Sequence, residues 1–419
     1  MSIGYACLAL GVKDSSMKTC MKKNASESRL KELIENNLDS LENLIDYNIK
    51  SGIKLFRISS DLIPFGSSPV NGLQWWKIYA ERFSLIGNKI RENNIRVSMH
   101  PGQYTVLNSQ DEEVVERAVE DLIYHCRVLE GLGTGNESKI ILHIGGVYND
   151  KKKSANRFSE NCRRLPDNVR QRLVIENDDR SYNISDVLEI GKRLGIPVVF
   201  DNLHNSINPS SAEKTEEFWI NECRATWSEK DGNQKIHYSQ QAIDKRAGAH
   251  SESIDVKCFL DFYSVLGKKD IDIMLEVKDK NLSAVKCMNC VNGSGKMKSL
   301  EIEWSKYKYS VLEKSLAAYN EIRELLKEKR GYPAVSFYSI LENALGYAEN
   351  AGNAVNAAMH VFGYFKRDAS EKEKERVLNR IDKYKKGEDG LQPLKKELQR
   401  LSLKYEKEYL LESYYFLLK

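Results

Sequence analysis

Short apolar runs that end on a carboxylate or a histidine recur along the first 280 residues, and this pattern constrains the fold more than any other. In the stretch 172–206, the run Leu173–Ile175 leads into Glu176; an amphipathic segment follows, and the run Pro197–Phe200 leads into Asp201. Continuous apolar runs that alternate with helical patterns are typical of βαβ units, whose parallel strands are buried on both faces. We therefore expect a parallel sheet that carries polar groups at the carboxyl ends of its strands.

Eight such strand candidates precede residue 280, with amphipathic helix candidates between them. The strand candidates are Ile3–Leu8, Leu55–Ile58, Arg96–Met99, Lys139–Leu142, Leu173–Ile175, Pro197–Phe200, Gln234–Ile236 and Ile271–Leu275. The helix candidates include Ser26–Ser51, Trp75–Asn94 and Glu112–Leu132, which have apolar residues at helical spacing. Eight strand–helix units are the number in a (β/α)8 barrel. The sequence therefore predicts an α/β fold, a TIM barrel, over residues 1–286.

The pattern changes after Glu276. The segment Cys287–Ser299 is small, polar and contains glycine, and it predicts a linker. Beyond it the sequence predicts helices only, at Leu300–Arg330, Phe337–Glu349, Asn353–Phe365, Glu371–Lys385 and Leu394–Leu418. We therefore expect an all-helical C-terminal region of unknown role over residues 299–419.

The composition is that of a globular protein without a membrane segment. Lys and Arg number 64 against 60 Asp and Glu, a net charge of +4, and no apolar run approaches the roughly 20 residues of a membrane span. This balance neither requires nor excludes nucleic acid, because local potential rather than net charge recruits phosphates. The apolar start lacks a basic segment and a cleavage-like site, so we interpret it as a strand rather than a signal peptide. Eight scattered cysteines without a secretion signal favour reduced thiols and a cytoplasmic location.

Metal-capable side chains end six consecutive strand candidates, and two more lie in the loops just beyond. They are His100, His143, Glu176, Asp201, His237 and Glu276 at the strand ends and His204 and His250 in the loops. One histidine at a strand end is more often an ordinary loop or core residue than a ligand. A barrel, however, brings successive strand ends to one mouth, and a mixed set of His, Asp and Glu suits Mn²⁺, Zn²⁺ or Fe²⁺. The combination predicts a multinuclear site able to clamp a phosphodiester.

Eight long motifs follow one another along residues 57–280. They are RISSDLIPFGSSP, RVSMHPGQYTVLNS, ILHIGGVYNDK, VIENDD, VVFDNLHN, QKIHYSQ, RAGAHSE and IMLEVKDK. In this order they resemble the motifs of the UV damage endonuclease family, and the resemblance continues more weakly through WSKYKYSVLEKS near residue 310. It implies a TIM barrel related to endonuclease IV and to xylose isomerase-like enzymes.

The same resemblance implies a substrate and a reaction. Such an enzyme nicks double-stranded DNA on the 5′ side of cyclobutane pyrimidine dimers, 6-4 photoproducts and abasic sites, leaving a 3′-hydroxyl and a 5′-phosphate. It uses two or three divalent metal ions, with Mn²⁺ the expected ion. It acts in the bacterial cytoplasm at the nucleoid, without a membrane or an obligate protein partner.

The resemblance also implies ligand roles. His100, His143 and Glu176 would hold one ion, Glu176, Asp201, His237 and Glu276 a second, and His204 and His250 would contribute to a third. Lys235 would join Glu176 and Glu276 in catalysis, because it matches a lysine that is carboxylated in at least one family member; otherwise we expect it to contact a phosphate.

Three further residues would contact the lesion. Gln103 and Tyr104 match a pair that pushes into the duplex, where an amide and an aromatic ring fill the gap left by extruded bases. Tyr5, at the end of the first strand, is expected to point into the same mouth and to contact the flipped nucleotides. Taken singly, Tyr104 could equally be an ordinary loop aromatic.

Two features depart from the family pattern or stand outside it. Ser68 occupies a position where we expect a histidine that serves the metal centre, and a hydroxyl is not a comparable ligand. Cys287 and Cys290 have the spacing of half a zinc site, but no second pair follows, which favours ordinary thiols. The segment NAAMHVFGYFKRDASEKEKE resembles a small helical domain of unknown function found in bacterial proteins.

Two other functions are compatible with the ligand pattern. A sugar isomerase or epimerase of the same superfamily also gathers His, Asp and Glu on barrel strands, although the Gln103–Tyr104 pair and the helical region argue against it. A damaged-DNA binding protein with a decayed site would retain the fold, and Ser68 would be the first sign of that decay.

Overall fold

The structure is a computed structural model that describes residues 1–267, 270–293, 295–328 and 331–418. It contains eight short parallel strands: β1 Ile3–Ala6, β2 Leu55–Ile58, β3 Arg96–Met99, β4 Ile140–His143, β5 Leu173–Glu176, β6 Val198–Asp201, β7 Gln234–Tyr238 and β8 Ile271–Leu275. Each strand pairs with its neighbours along the chain, and β1 pairs with β8, so the sheet closes into a barrel. The predicted (β/α)8 barrel is confirmed.

The strand register places metal-capable side chains side by side at one end of the barrel. His143 ends β4 and pairs with Glu176, which ends β5. Asp201 ends β6 and pairs with His237 in β7. All residues of β5 and β6 are buried, as expected for parallel strands covered on both faces. The fold therefore brings together carboxylates and imidazoles that lie far apart in the sequence.

Helices follow or separate the strands of the barrel. They are α1 Glu27–Ser51, α2 Trp75–Ile78, α3 Ala80–Glu92, α4 Glu112–Gly131, α5 Lys151–Arg164, α6 Asp167–Arg172, α7 Ile184–Leu194, α8 Asn202–Ile207, α9 Glu216–Arg224, α10 Val256–Leu266 and α11 Asn281–Val291. The side chain of Ser26 caps the start of α1, and Gly52, with φ of 71°, ends it in the left-handed conformation that glycine adopts readily. The predicted helix Trp75–Asn94 is two helices, divided at Tyr79.

The chain divides into two compact units, Met1–Ile254 with Asp261–Val285, and Asp255–Leu260 with Lys286–Lys419. The second unit contains the helices α12 Met297–Lys314, α13 Leu316–Lys327, α14 Ala334–Gly346, α15 Ala351–Gly363, α16 Glu371–Lys385, α17 Leu391–Lys404 and α18 Glu408–Leu411. A core of apolar side chains that includes Ala357, Val377 and Leu398 joins several of these helices. Among the described residues, no helix is long and apolar enough to cross a membrane.

Three C-terminal predictions need correction. The predicted helix Leu300–Arg330 is broken at Ser315, whose side chain accepts the amide of Ala318 and so begins a new helix; residues 329 and 330 lie outside the described part of the chain. The predicted helix Leu394–Leu418 is divided as well, because α17 ends at Lys404 and α18 begins at Glu408. The predicted linker Cys287–Ser299 is also too long, because α11 continues to Val291 and buries Cys287; position 294 of this linker is not among the described residues.

Candidate metal centre

The carboxylate of Glu176 is the common member of the candidate metal groups. The residue is only 1% exposed. Its Oε2 lies 3.2 Å from His100 Nε2 and 3.7 Å from His143 Nε2. Its Oε1 lies 2.6 Å from His237 Nδ1 and 3.9 Å from His204 Nδ1. The two oxygens therefore face different imidazoles, an arrangement that lets one carboxylate bridge two cations.

Among the residues that the structure describes, three groups of side chains offer ligand atoms within 4.8 Å of one another. They are His100, His143 and Glu176; Glu176, Asp201 and His204; and Glu176, His237 and Glu276. Seven of the eight predicted ligands thus lie together at the carboxyl ends of the strands. Each group mixes imidazole nitrogen with carboxylate oxygen, the donors that suit Mn²⁺, Zn²⁺ and Fe²⁺.

One buried oxygen supports the fit of a cation to these groups. Oδ1 of Asp201 accepts the amide of His204 at the start of α8, whereas Oδ2 has no hydrogen-bond partner among the described residues. Asp201 is completely buried. Buried polar atoms are nearly always paired, and a bound cation satisfies such an oxygen. The residues present therefore fit divalent metal ions.

Burial and neighbouring charges shift the pKa values of the ligands in different directions. Burial would raise the pKa of Glu176, but His237 and His143 and the hydrogen bond from His100 hold it well below its usual value. Burial lowers the pKa of His143 to about 4 despite the nearby Glu176. Burial also disfavours a charged His204, but Asp201 and Glu176 overcome this and raise its pKa to about 9. At neutral pH His143 is therefore neutral, whereas His204 carries a proton.

Arg57 is a member of the site that the sequence did not reveal. It lies in β2, is only 7% exposed, and forms an ion pair with Glu276. Its Nη2 also lies 3.0 Å from His237 Nε2. Because a guanidinium only donates, this contact makes His237 Nε2 the acceptor. The signal in the sequence is a charge within an otherwise apolar strand, since arginine is almost never buried without a partner.

Lys235 and His250 are not members of the three groups. Lys235 is completely buried in β7, and its Nζ has no hydrogen-bond partner among the described residues. Burial, followed by the positive charge of Arg96, lowers its pKa well below the usual value, which favours the neutral amine. His250 forms an isolated bridge with Gln241 beyond β7. The structure therefore does not bring His250 into a ligand group of the described residues.

The expectation that Tyr5 points into the mouth is wrong. Tyr5 is completely buried, its ring packs 5.1 Å from that of Phe56, and its hydroxyl donates to Asn48 Oδ1 at 2.9 Å. Asn48 lies on α1, so Tyr5 faces the helix layer instead. The sequence could not decide this, because both faces of a parallel strand are apolar and alternation does not identify the inner one.

Gln103 and Tyr104 form the tip of an exposed turn after β3. Tyr104 is 70% exposed, the largest exposure of any aromatic residue among the exposed hydrophobic side chains of the described chain. The tip begins three residues after the candidate ligand His100, which places an exposed amide and an exposed ring next to the metal groups in sequence. Such a tip is free to contact a large substrate.

The chain matches a known family and several known proteins. The profile of the family described as UV-endonuclease UvdE matches residues 1–305. The chain belongs to the UvdE family. A UV DNA damage endonuclease of Clostridium perfringens (strain 13 / Type A) is 39% identical over 82% of this chain and 83% of its own length, and one of Bacillus cereus (strain G9842) is 30% identical over 73% and 99%. The crystal structure of SacUVDE is 40% identical with a TM-score of 0.66, covering 70% of this chain and 98% of its own. The resemblance read from the motifs is confirmed.

Ser68 and the C-terminal region are the parts of this UvdE-family chain that depart from the expected family pattern or lie outside it. Ser68 accepts the amide of Val70 with its hydroxyl at 3.3 Å and donates its own amide to Phe65, so it serves a turn in the loop after β2. A second profile, of a protein of unknown function, DUF1722, matches residues 308–418. The expected resemblance of the tail to a domain of unknown function is thereby confirmed.

Proposed function

We propose that the protein is a metal-dependent endonuclease that nicks double-stranded DNA on the 5′ side of ultraviolet photoproducts, and of abasic sites, leaving a 3′-hydroxyl and a 5′-phosphate. The observation that carries this proposal is the set of three ligand groups that share the buried carboxylate of Glu176, within a chain of the UvdE family. The relatives named above are UV DNA damage endonucleases, which supports ultraviolet lesions as the substrate. The proposed ion is Mn²⁺, and the proposed site of action is the cytoplasm.

The side chains of the site would divide the work. Glu176 would bridge two ions, and the imidazoles and carboxylates of the three groups would hold them. When bound, divalent ions supply Lewis-acid stabilisation of the phosphoryl oxygens and acidify water. Arg57 holds Glu276 and His237 in place, as partners of metal ligands commonly do. His250 would join the third group only after its loop moves.

Lys235 has a place in this proposal as a modified side chain. The neutral amine is the form that reacts with carbon dioxide, and the buried Nζ atom has no hydrogen-bond partner within the described part of the chain. Carboxylation would give Lys235 an acidic end on the same face of β7 as His237. The unmodified alternative is a cation that contacts a phosphate.

Recognition would depend on the exposed tip formed by Gln103 and Tyr104. Photoproducts occur in many sequences, so readout of base edges would not select them, whereas weakened stacking would. Inserting the ring and amide opposite the lesion needs less unstacking energy at a damaged step than at an intact one. Damage selectivity would therefore follow from deformability.

The test is nicking of a duplex with one cyclobutane pyrimidine dimer in the presence of Mn²⁺. The comparison is with an undamaged duplex, with Glu176→Gln, and with Glu303→Gln as the matched control, because Glu303 is a similarly buried carboxylate of the helical unit. We expect a nick directly 5′ of the dimer from the unmodified protein and from Glu303→Gln only.

Other outcomes identify the alternatives. Damage-selective binding without a nick would contradict the endonuclease and support a damaged-DNA binding protein. If the protein neither binds nor cleaves the damaged duplex, sugar isomerase and epimerase substrates should be tested next.

A further inference from the structure

A carboxylate outside the metal groups joins the two loops that follow β2 and β3. Asp121 of α4 is only 3% exposed. Its Oδ1 accepts the hydroxyl of Ser67 at 2.9 Å, and its Oδ2 accepts the hydroxyl of Thr105 at 2.6 Å. Hydrogen bonds to a charged acceptor are shorter and stronger than neutral ones, and a buried charge needs them. Asp121 therefore fastens both loops to one helix.

Thr105 closes the turn whose tip is Gln103 and Tyr104. Its amide donates to the carbonyl of Gly102 at 3.0 Å, and its side chain is buried. A Cβ on Gly102 would lie 2.4 Å from the ring of Tyr104, so the ring packs closely over this glycine. The base of the turn is thus fixed in the interior while the tip projects into solvent.

The same face of α4 also fixes the backbone at His100. The Nε2 atom of His125 lies 2.9 Å from the hydroxyl of Ser60, which in turn lies 2.8 Å from the carbonyl of His100. The hydroxyl of Tyr124 donates to the carbonyl of Ser60 at 2.8 Å. One helix therefore holds the turn and a candidate metal ligand in a fixed relation to each other.

We propose that Asp121 is a positioning residue for damage recognition. By holding the Thr105 hydroxyl, it keeps the turn 102–105 rigid, so that Gln103 and Tyr104 enter a duplex as a wedge instead of folding back against the barrel. Insertion is opposed by base stacking, and a turn tied only by its backbone hydrogen bond yields to that opposition. This inference rests on the proposed function of the tip.

The experiment removes one hydroxyl. Thr105→Val keeps the shape of the side chain but loses the bond to Asp121, and Thr105→Ser restores it. The matched control is Thr134→Val. Thr134 lies just beyond the C-terminal end of α4 and also donates a buried hydroxyl, to the carbonyl of Leu129 at 3.0 Å. Tyr104→Ala is the reference for loss of the wedge.

Three readouts separate positioning from general structure. All variants also carry Glu176→Gln, so that the duplex is bound but not nicked, and all measurements are made with Mn²⁺. The first readout is the ratio of the dissociation constants for undamaged and dimer-containing duplexes, and the second is the fluorescence of 2-aminopurine opposite the dimer. Hydrogen exchange of residues 100–110 reports the mobility of the turn. We expect Thr105→Val to lower the ratio roughly tenfold, in line with loss of one charge-assisted hydrogen bond. Tyr104→Ala, which removes the ring itself, should lower it by a similar factor.

Thr105→Ser and Thr134→Val should keep the ratio of the Glu176→Gln parent. The affinity for Mn²⁺ should equal that of the same parent in every variant. Thr105→Val should also weaken the 2-aminopurine signal and speed exchange of 100–110, whereas Thr134→Val should not. If Thr105→Val does not fold, Asp121→Asn, which retains one acceptor, replaces it, and a smaller fall in the ratio is expected.

The outcomes distinguish the two proposals. A full ratio in Thr105→Val beside a lowered ratio in Tyr104→Ala overturns the positioning role and leaves the wedge. Full ratios in both variants overturn the wedge and the positioning role together. A lack of preference for the dimer in the unmodified protein overturns the proposed function itself, and with it this inference.

Discussion

Binding of a cation to the group that contains His204 should release a proton. Because Asp201 and Glu176 raise the pKa of His204 to about 9, its ring is charged at pH 7.5, and a cation that takes its nitrogen must displace the proton. The gap of about 1.5 pKa units corresponds to about 2 kcal/mol that metal binding has to supply. Below pH 9 the apparent affinity for the cation therefore rises about tenfold with each pH unit, and above pH 9 this dependence ends.

The group that contains His143 gives the internal contrast. The pKa of His143 is about 4, so this ring is already neutral at pH 7.5 and has no proton to release. Calorimetric titration with Mn²⁺, in buffers of different ionisation enthalpy at pH 7.5, counts the protons released. We expect about one proton for the His204 group. This release should disappear in His204→Asn and persist in His143→Asn. An affinity that does not change between pH 7 and 9, or a release of no protons, would refute the reasoning.

Three further predictions concern single substitutions. Ser68→His should lower the Mn²⁺ concentration for half-maximal nicking, since an imidazole is a better ligand than a hydroxyl; an unchanged metal titration contradicts this. Asp231→Asn should destabilise the barrel by about 3–5 kcal/mol in urea unfolding. The reason is that the buried ammonium of Lys139, 2.6 Å from Asp231 Oδ1, loses its opposite charge and keeps only its hydrogen bond to the carbonyl of Gln171; a loss below about 1 kcal/mol would show that water reaches the pair. Gly66→Ala places a Cβ 2.4 Å from the ring of Tyr124 and should destabilise by about 1–3 kcal/mol in the same assay, and equal stability would mean that the loop shifts freely.

The barrel could be predicted because its pattern is local. Apolar runs of four or five residues that alternate with amphipathic helices indicate buried parallel strands wherever they pack. Helix bounds were less accurate. The break at Ser315 depends on one capping hydroxyl, and α11 continues through Cys287 because that side chain is buried, which its polar neighbours in the sequence did not indicate.

The candidate site was only partly predictable. Glu176 and Asp201 were found because they end apolar runs, and closure of the barrel then brings such ends together. Arg57 was missed because nothing in the sequence says that its partner is Glu276, more than two hundred residues away. His250 illustrates the converse, since proximity to a strand end in the sequence did not place it in a ligand group.

The sequence by itself determined the class of fold, the family and the chemistry of the ligands, because residue type and short-range period are properties of the chain alone. Only the tertiary structure decided which face of a strand points inward, as for Tyr5, and which loops are joined, as at Asp121. Those choices depend on register and barrel closure. They set distances between residues that no local pattern connects.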